Sequence, residues 1–264
     1  MSLAEALLDL QELTERLRRE CPWDREQTAR TIAPHTVEEA YEVADAAAAD
    51  DDVALHDEVG DLLFQAFFLS LLLEERDHGS LETVARGIHE KLVRRHPHVF
   101  GDADAKTAGR VRSRWEEIKT EQEGRDGIFH DVPAALPALL HARKVQRRVA
   151  TAGFEFPDLE SRFARLREEL TELEEARLRA DEPAPETEPD SAVVDEVGDV
   201  LFLAVNVAMS LNVDPELALR GTSQKFMRRV ERAAELADAE GDDWRSLDLV
   251  GQDRYYELAK EETG

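Results

Sequence analysis

Two long apolar runs, each led by a pair of acidic residues, dominate the pattern of hydrophobic and polar positions along the chain. The first run follows Glu58 and Asp61 and continues to Leu73, and the second follows Glu196 and Asp199. At about 100° per residue, the apolar side chains of the first run cover every side of a helix, which predicts a buried helix. Its two acids are then expected to point into a core.

Shorter amphipathic segments surround these runs. Apolar residues three or four positions apart predict further helices at residues 2–19, 37–48, 81–95 and 111–123 in the first half, and at 134–150, 158–179 and 191–211 in the second. Proline cannot continue a helix interior, so Pro34 predicts a break, and the next helix is expected to begin near Thr36. Thr36 and Glu39 have the spacing of a capping box, which gives Glu39 an alternative structural role.

The middle of the chain predicts a domain boundary, because Gly124, Gly127 and Pro133 interrupt the helical pattern there. A length of 264 residues suffices for two domains, which we place at 1–125 and 126–264. Residues 181–189 contain three prolines and four acids. They predict a flexible surface loop between two helices of the second half.

The acidic residues form the same motif in both halves. Glu-Glu-x-x-Glu begins at Glu38 and again at Glu168, and Glu-Val-Gly-Asp follows at 58–61 and 196–199. A single acidic cluster is equally well explained as the solvated face of a surface helix. Its recurrence favours a functional role and predicts two tandem units of one architecture.

Carboxylates in an apolar interior must be protonated, paired with a cation or bound to a metal ion. A set of oxygen donors without cysteine or histidine suits a hard cation such as Mg²⁺ or Mn²⁺ better than zinc. The candidate ligands are therefore Glu39, Glu42, Glu58 and Asp61 in the first half, and Glu169, Glu172, Glu196 and Asp199 in the second.

Basic and aromatic residues also recur in both halves. Lys-x-x-Arg-Arg occurs at 91–95 and 225–229, and an aromatic residue is followed one turn later by lysine as Trp115 with Lys119 and as Tyr256 with Lys260. Basic residues near a helix C-terminus are an ordinary structural feature. Beside carboxylate-held metal ions they predict a site for phosphate groups, and the aromatic ring could stack on a base. The basic residues of the second copy are Lys225, Arg228 and Arg229.

The composition restricts the partners and the location. A net charge of −26, from 33 basic and 59 acidic residues, argues against a nucleic-acid backbone or an anionic membrane as the main partner. The single Cys21 excludes an intrachain disulfide and, with an N-terminal segment unlike a signal peptide, predicts a cytoplasmic location. Phosphate-binding and dinucleotide-binding glycine motifs are both absent from the sequence.

Two further runs, together with the acidic motifs, carry a resemblance to a known family. They are Cys-Pro-Trp-Asp-Arg-Glu-Gln-Thr at 21–28 and Arg-Arg-His-Pro-His-Val-Phe at 94–100. Over nearly its whole length the chain resembles MazG-type nucleoside triphosphate pyrophosphohydrolases. The resemblance implies an all-α fold of two tandem repeats, each built around a four-helix core, and a homodimer. It also implies Mg²⁺-dependent hydrolysis of nucleoside triphosphates to monophosphate and pyrophosphate by water attack at the α-phosphorus, clearing non-canonical or excess nucleotides.

The resemblance also implies roles for individual residues of the second repeat. The family's metal ligands match Glu169, Glu172, Glu196 and Asp199, and Glu168 matches the residue that orients or deprotonates water. The nucleotide-contacting cations match Lys225 and Arg229. Arg165 stands where the family commonly has lysine, Tyr256 stands where it commonly has tryptophan, and Ala192 replaces a further lysine, which removes one expected phosphate contact.

In tandem members of this family, the C-terminal repeat is implied to be the catalytic one. One difference between the halves agrees with this: Asn206 lies seven residues after Asp199, and Phe68 occupies the matching place after Asp61. An amide at that position could bind a base or sugar, whereas a phenyl ring could only pack. The second repeat is therefore expected to be the main active site and the first a weaker site or a scaffold.

Two alternative classes remain open from the sequence. A ferritin-like di-iron protein also places glutamates on a helix bundle, but it normally uses Glu-x-x-His pairs, and neither acidic motif contains histidine. A non-catalytic nucleotide-binding regulator or scaffold would carry the same acids and would bind a nucleotide without releasing product.

Overall fold

The computed structural model describes residues 2–100, 127–130, 132–180 and 188–263. Within these ranges the regular structure is helical, with no β-strand, which confirms the all-α fold class. None of the helices in the described part of the chain is long and apolar enough to cross a membrane. The predicted helix at 111–123 with Trp115 and Lys119, the predicted boundary at 125/126 and most of the predicted loop at 181–189 lie outside the described residues.

The chain divides into two compact units, Met1–Gly124 and Arg125–Gly264, called unit 1 and unit 2 below. In unit 1 the described helices are α1 (Leu3–Glu20), α2 (Pro22–Glu26), α3 (Ala29–Ala48), α4 (Asp52–Glu74), α5 (Leu81–Arg95) and α6 (Pro97–Phe100). Helices α3 and α4 pack side by side and antiparallel across a short turn, and α4 also contacts α1 and α5. This pair carries the acids of the first half.

Unit 2 has the same kind of central pair. Its described helices are α7 (Ala138–Thr151), α8 (Leu159–Arg179), α9 (Ser191–Ser210), α10 (Pro215–Glu240) and α11 (Leu249–Thr263). Helices α8 and α9 pack together along their length, α7 contacts α9 and α10, and α10 packs against α11. That the two units are repeats of one domain stays a prediction.

The predicted break at Pro34 is wrong, because α3 begins upstream of it. Thr28 caps the helix: its hydroxyl accepts a hydrogen bond from the backbone N–H three residues later. Pro34 is tolerated inside the helix, although it lacks one donor N–H. The Thr36 hydroxyl donates to the carbonyl of Ile32 within the helix, so Thr36 caps nothing and Glu39 has no capping role.

The apolar run of α4 is not buried on every side, in contrast to the prediction. Phe68 and Leu72 form a core cluster with Ile32 of α3, but Val59 is 48% exposed and Leu63 is 40% exposed. Among the described residues, the helices that contact α4 are α1, α3 and α5, and they leave Val59 and Leu63 uncovered. The apolar run of α9 is likewise exposed along one side, at Val194, Val197 and Leu201.

The contact between α10 and α11 is fixed by a buried tyrosine. Tyr255 is 1% exposed and packs on Ala233 and Ala237 of α10. Its hydroxyl lies 2.7 Å from an Asp242 carboxylate oxygen and 2.9 Å from a Glu240 carboxylate oxygen, and these hydrogen bonds with burial raise the pKa of Tyr255. The hydroxyl therefore stays protonated and holds the end of α10 against α11.

Candidate functional site

Three acids of unit 2 meet between α8 and α9. Glu169 comes from α8, and Glu196 and Asp199 come from α9, where a spacing of three residues places them on the same face. One carboxylate oxygen from each lies within 4.8 Å of the others. This trio is therefore an arrangement that could hold a metal ion.

Burial makes the trio of unit 2 electrostatically costly without a cation. Glu169 is 4% exposed, and one oxygen of Glu169 and one of Glu196 are buried with no hydrogen-bond partner among the described residues. Desolvation raises the pKa of Glu169; Arg165 opposes this, while Glu172 and Asp199 add to it. Orphaned carboxylate oxygens that converge in this way fit a hard divalent cation.

Arg165 joins the remaining acids of α8 to the trio. Its guanidinium lies 2.7 Å from Glu169, 2.6 Å from Glu168 and 3.9 Å from Glu172. Glu168 is exposed at the rim of the site, and Glu172 is half-buried and hydrogen-bonded to Glu169. The four predicted ligands and the predicted helper carboxylate, Glu168, therefore lie close together, and Arg165 lies at the edge of this group.

Unit 1 contains a second acidic trio. Glu39 of α3 and Glu58 and Asp61 of α4 offer carboxylate oxygens within 4.8 Å of one another. Glu42 is exposed and hydrogen-bonds to both Glu39 and Glu58. Desolvation, followed by the neighbouring carboxylates, raises the pKa of Glu39 and Glu58. Asp61 is exposed and Glu58 half-buried, so these acids border the core rather than point into it.

A glycine separates the two acids of α4 and of α9. Among the described residues, a Cβ built on Gly60 or on Gly198 would meet no atom within 4 Å apart from its own helix backbone. The surface beside both trios is therefore open.

A cavity of about 480 Å³ lies next to the trio of unit 2. It is bordered by α7, by the loop before α8 and by α9, and Phe202 and Asn206 of α9 reach it one and two turns beyond Asp199. Its walls are mainly apolar and include Phe154, Phe156, Phe202, Leu203 and Met209. The face of α9 that carries Glu196 and Asp199 thus continues into an aromatic pocket.

Polar side chains in this cavity form a connected network. Arg162 donates to Oδ1 of Asn206 at 2.8 Å, Nδ2 of Asn206 donates to Oε1 of Gln146 at 2.6 Å, and Nε2 of Gln146 donates to the carbonyl of Phe202 at 2.7 Å. The sequence singled out Asn206 but missed Arg162 and Gln146. A usable signal existed for Arg162, which lies seven residues before Glu169 as Asn206 lies seven after Asp199.

The matching positions of unit 1 are apolar. Ile32 lies seven residues before Glu39, and Phe68 lies seven after Asp61. They are 2% and 1% exposed and pack in the same core cluster. Side chains of the unit 1 core therefore occupy the positions that line a pocket in unit 2.

The predicted basic and aromatic residues lie on α10 and α11. Lys225 and Arg228 are exposed and Arg229 is half-buried. Tyr256 packs against Phe226, with ring centroids 5.7 Å apart, and Lys260 pairs with Glu257 of its own helix at 3.1 Å. Within the described residues, the cation that pairs with the trio of unit 2 is Arg165, so the contact expected from α10 and α11 stays a prediction.

Comparison with known proteins gives consistent matches. The family model of the MazG nucleotide pyrophosphohydrolase domain matches residues 27–100. The nucleoside triphosphate pyrophosphohydrolase of Escherichia coli strain K12 is 38% identical over 244 residues, which are 91% of this chain and 90% of that protein. The nucleoside triphosphate pyrophosphohydrolase/pyrophosphatase MazG of Thermotoga maritima is 36% identical over 242 residues, 91% of this chain and 89% of that protein.

Among solved structures, a mazG-related protein from Thermotoga maritima is 27% identical, with a TM-score of 0.38, and the match covers 43% of this chain and 98% of that one.

Proposed function

Because the chain belongs to the family of MazG nucleotide pyrophosphohydrolases, we propose that it hydrolyses nucleoside triphosphates to the monophosphate and pyrophosphate. The observation that carries the proposal is the acidic trio of unit 2, in which Glu169 is buried and Asp199 is exposed, and which shares a helix face with a cavity large enough for a base. The expected role is the removal of non-canonical or excess nucleotides.

Glu169, Glu172, Glu196 and Asp199 would hold Mg²⁺, with Mn²⁺ as a substitute, because they supply only oxygen donors and two of them carry orphaned buried oxygens. When bound, the metal neutralises phosphate charge and lowers the pKa of a coordinated water. Glu168, which is exposed at the rim, would orient or deprotonate the water that attacks the α-phosphorus.

The cations near the site would bind the phosphate oxygens. Arg165 already lies against the acids and is the first candidate. Lys225, Arg228 and Arg229 of α10 and Lys260 of α11 are further candidates, and Tyr256 offers a ring beside them. These assignments follow the resemblance, and substitution of each residue tests them.

The cavity would take the nucleobase. From Asp199 to Asn206 is seven residues, or about 10 Å along a helix axis, so both ends of one nucleotide could lie along α9. Phe202 and Phe156 offer apolar faces to a planar ring, and Asn206 offers an amide to its edge. Unit 1 has the acids without this network, which supports unit 2 as the main active site and unit 1 as a weaker site or a scaffold.

We also propose that residues 1–125 and 126–264 are two tandem MazG-like domains, and that the chain forms a homodimer. The exposed apolar side chains of α4 and α9 support a dimer, since Leu63 is 40% and Leu201 is 52% exposed. Sedimentation at several concentrations tests it: a charged substitution at Leu201 is expected to shift the chain towards a monomer, and a monomeric parent protein would contradict it.

The activity is tested with a panel of normal and damaged nucleoside triphosphates in the presence of Mg²⁺. Pyrophosphate is the expected product, and hydrolysis in H₂¹⁸O is expected to place the label in the monophosphate. Orthophosphate as the main product, or label in pyrophosphate, would refute attack at the α-phosphorus. Nucleotide binding without any product would instead indicate a regulator.

The assignment of the two trios is tested with one matched pair of variants. Glu172→Ala is expected to lower the rate of pyrophosphate release at least about 100-fold, because it removes a metal ligand from the active site. Glu42→Ala is expected to change the rate less than about threefold, because unit 1 is not the main active site. Equal losses, or a loss only in Glu42→Ala, would reverse the assignment.

A further inference from the structure

We propose that the cavity of unit 2 selects nucleobases that present a carbonyl oxygen, rather than an amino group, to Asn206. Arg162 and Gln146 are the positioning residues that set this preference. The inference rests on the proposed function in one respect, because it takes the cavity as the place of the nucleobase.

The direction of the hydrogen-bond network fixes the orientation of both amides. A guanidinium can only donate, so Arg162 requires the oxygen of Asn206 to face it at 2.8 Å. The amide nitrogen of Asn206 then donates to the oxygen of Gln146, and the nitrogen of Gln146 donates to the carbonyl of Phe202. A backbone carbonyl can only accept. The series of hydrogen bonds therefore begins at a group that only donates, Arg162, and ends at one that only accepts, the carbonyl of Phe202.

This orientation leaves N–H groups open at the cavity. Each amide nitrogen carries two hydrogens, and the described residues accept one from Asn206 and one from Gln146. Both residues line the cavity, and Gln146 is 6% exposed. A buried N–H without an acceptor is costlier than a carbonyl with an unused lone pair. The group that completes the network is therefore an acceptor on the ligand.

Arg162 is itself held in place. Its side chain is 11% exposed and pairs with Glu155 at 2.9 Å. The same guanidinium nitrogen donates to the carbonyl of Phe156 at 3.3 Å, and the guanidinium lies 5.9 Å from the Phe156 ring centroid. The loop before α8 thus fixes Arg162, and Arg162 fixes Asn206. An amino group on the base would face an N–H that cannot turn away.

Matched substrate pairs test the preference. Inosine and adenosine triphosphates differ at one ring edge by a carbonyl in place of an amino group and, beside it, by a ring N–H in place of an acceptor nitrogen. Uridine and cytidine triphosphates differ in the same way. Loss of one buried hydrogen bond with a donor facing a donor predicts kcat/KM about tenfold higher for the carbonyl member of each pair. Ratios near one, or a preference for the amino members, would overturn the proposal.

Variants of Arg162 separate positioning from general structural support. Arg162→Met removes one of the two groups that orient the Asn206 amide, so the ratio within each pair is expected to fall about threefold. Arg162→Met combined with Gln146→Met removes both and is expected to bring the ratio below about twofold. Arg162→Lys still donates to the same oxygen and is expected to restore the ratio. Arg167→Met, an exposed arginine on the same helix, is the matched control and is expected to leave the ratio unchanged. If Arg162→Met does not fold, Asn206→Ala is expected to abolish the ratio as well.

A binding measurement distinguishes failure of this inference from failure of the proposed function. Calorimetric titration of the intact protein with inosine and adenosine monophosphates measures discrimination without turnover. Tighter binding of the inosine compound with no hydrolysis of any triphosphate would refute the function and support the inference. Hydrolysis with equal kcat/KM values within both triphosphate pairs would support the function and refute the inference.

Discussion

The helix pairs α3–α4 and α8–α9 carry the same acidic trio but differ in what lies beyond it. In unit 1, Ile32 and Phe68 pack into a core cluster, whereas in unit 2 the equivalent positions are Arg162 and Asn206 beside a cavity. The clustering of the acids depends on short spacings along two helices. A pocket depends on which side chains occupy the next two turns of those helices. An acidic trio on a helix pair therefore does not by itself bring a pocket beside it.

The two trios also differ in how their charge is balanced. Four residues before Glu169 is Arg165, which pairs with it at 2.7 Å. Four residues before Glu39 is His35, whose ring lies 3.6 Å from Glu38 and not against the trio. In unit 1 the carboxylates share hydrogen bonds among themselves, and the pKa of both Glu39 and Glu58 is raised.

The largest expected effect concerns the packed interior of unit 1. Phe68→Ala is expected to lower the free energy of unfolding of unit 1 by about 3–5 kcal/mol, because Phe68 is 1% exposed in the core. Urea-dependent hydrogen exchange of α4 amides measures it. Asn206→Ala, the matched change in unit 2, is expected to cost less than about 2 kcal/mol because its side chain lines a cavity. Equal costs would remove the contrast between the two interiors.

Transfer of the unit 1 side chain into unit 2 tests the pocket directly. Asn206→Phe is expected to fill part of the cavity and lower kcat/KM for nucleoside triphosphates about 100-fold, or roughly 2.7 kcal/mol. Pyrophosphate release measures the change, and thermal unfolding checks that the fold persists. Phe68→Leu serves as the control and leaves turnover within about twofold. Activity within threefold of the parent in Asn206→Phe would show that the base lies elsewhere.

Metal affinity is expected to separate the two trios by its dependence on pH. A raised carboxyl pKa lets protons compete with the metal over a higher pH range, since the ligand must be deprotonated. As the pH falls from about 7 towards the ordinary glutamate pKa of about 4.3, Mn²⁺ binding is expected to weaken roughly tenfold or more. The loss of Mn²⁺ affinity is expected to be larger in unit 1, where the pKa values of two carboxyl groups, Glu39 and Glu58, are raised. In the trio of unit 2, Glu169 is the acid with a raised pKa.

Electron paramagnetic resonance of Mn²⁺ measures these affinities one site at a time. Glu196→Gln leaves the trio of unit 1 as the remaining site, and Glu58→Gln leaves that of unit 2. A steeper loss of affinity in the variant that retains unit 2 would contradict the prediction.

The smallest expected effect concerns the stability of the metal-free protein. A carboxyl group with a raised folded pKa contributes stability below its unfolded pKa and loses it as the pH rises through the folded value. Glu39→Gln is therefore expected to raise the free energy of unfolding at neutral pH by up to about 1 kcal/mol, and to have no effect near pH 4. Glu169→Gln is expected to raise the free energy of unfolding by less, because Arg165 already pairs with the Glu169 carboxylate. Urea titrations with a chelator measure both, and destabilisation by Glu39→Gln at neutral pH would refute the assignment.

The acidic trios could be predicted from the sequence because each depends on short spacings within a helix. Glu196 and Asp199 share a face through a separation of three residues, and recurrence of the motif favoured a functional role for the acids. The start of α3 was missed because the cap at Thr28 lies upstream of Pro34 and overrides the proline signal. The exposure of Leu63 was missed because periodicity does not reveal how many helices surround a given one.

The network of unit 2 could not be predicted because it joins elements distant in sequence. Arg162 and Asn206 are 44 residues apart, and Asn206 and Gln146 are 60 apart. The sequence singled out Asn206 by its position after Asp199, but nothing in the sequence joins Asn206 to Arg162 or to Gln146. Their shared role appears only when α7, α8 and α9 are assembled around one cavity.

The open space beside Gly60 and Gly198 makes these two positions sensors of the molecule's surroundings. Alanine in a helix interior is more stable than glycine by about 1 kcal/mol, and among the described residues no neighbouring side chain would obstruct the added methyl group. A variant with alanine at Gly198 is therefore expected to be more stable as an isolated chain. If it also turns over substrate poorly or stops self-associating, the added methyl group marks where substrate or a second copy touches α9.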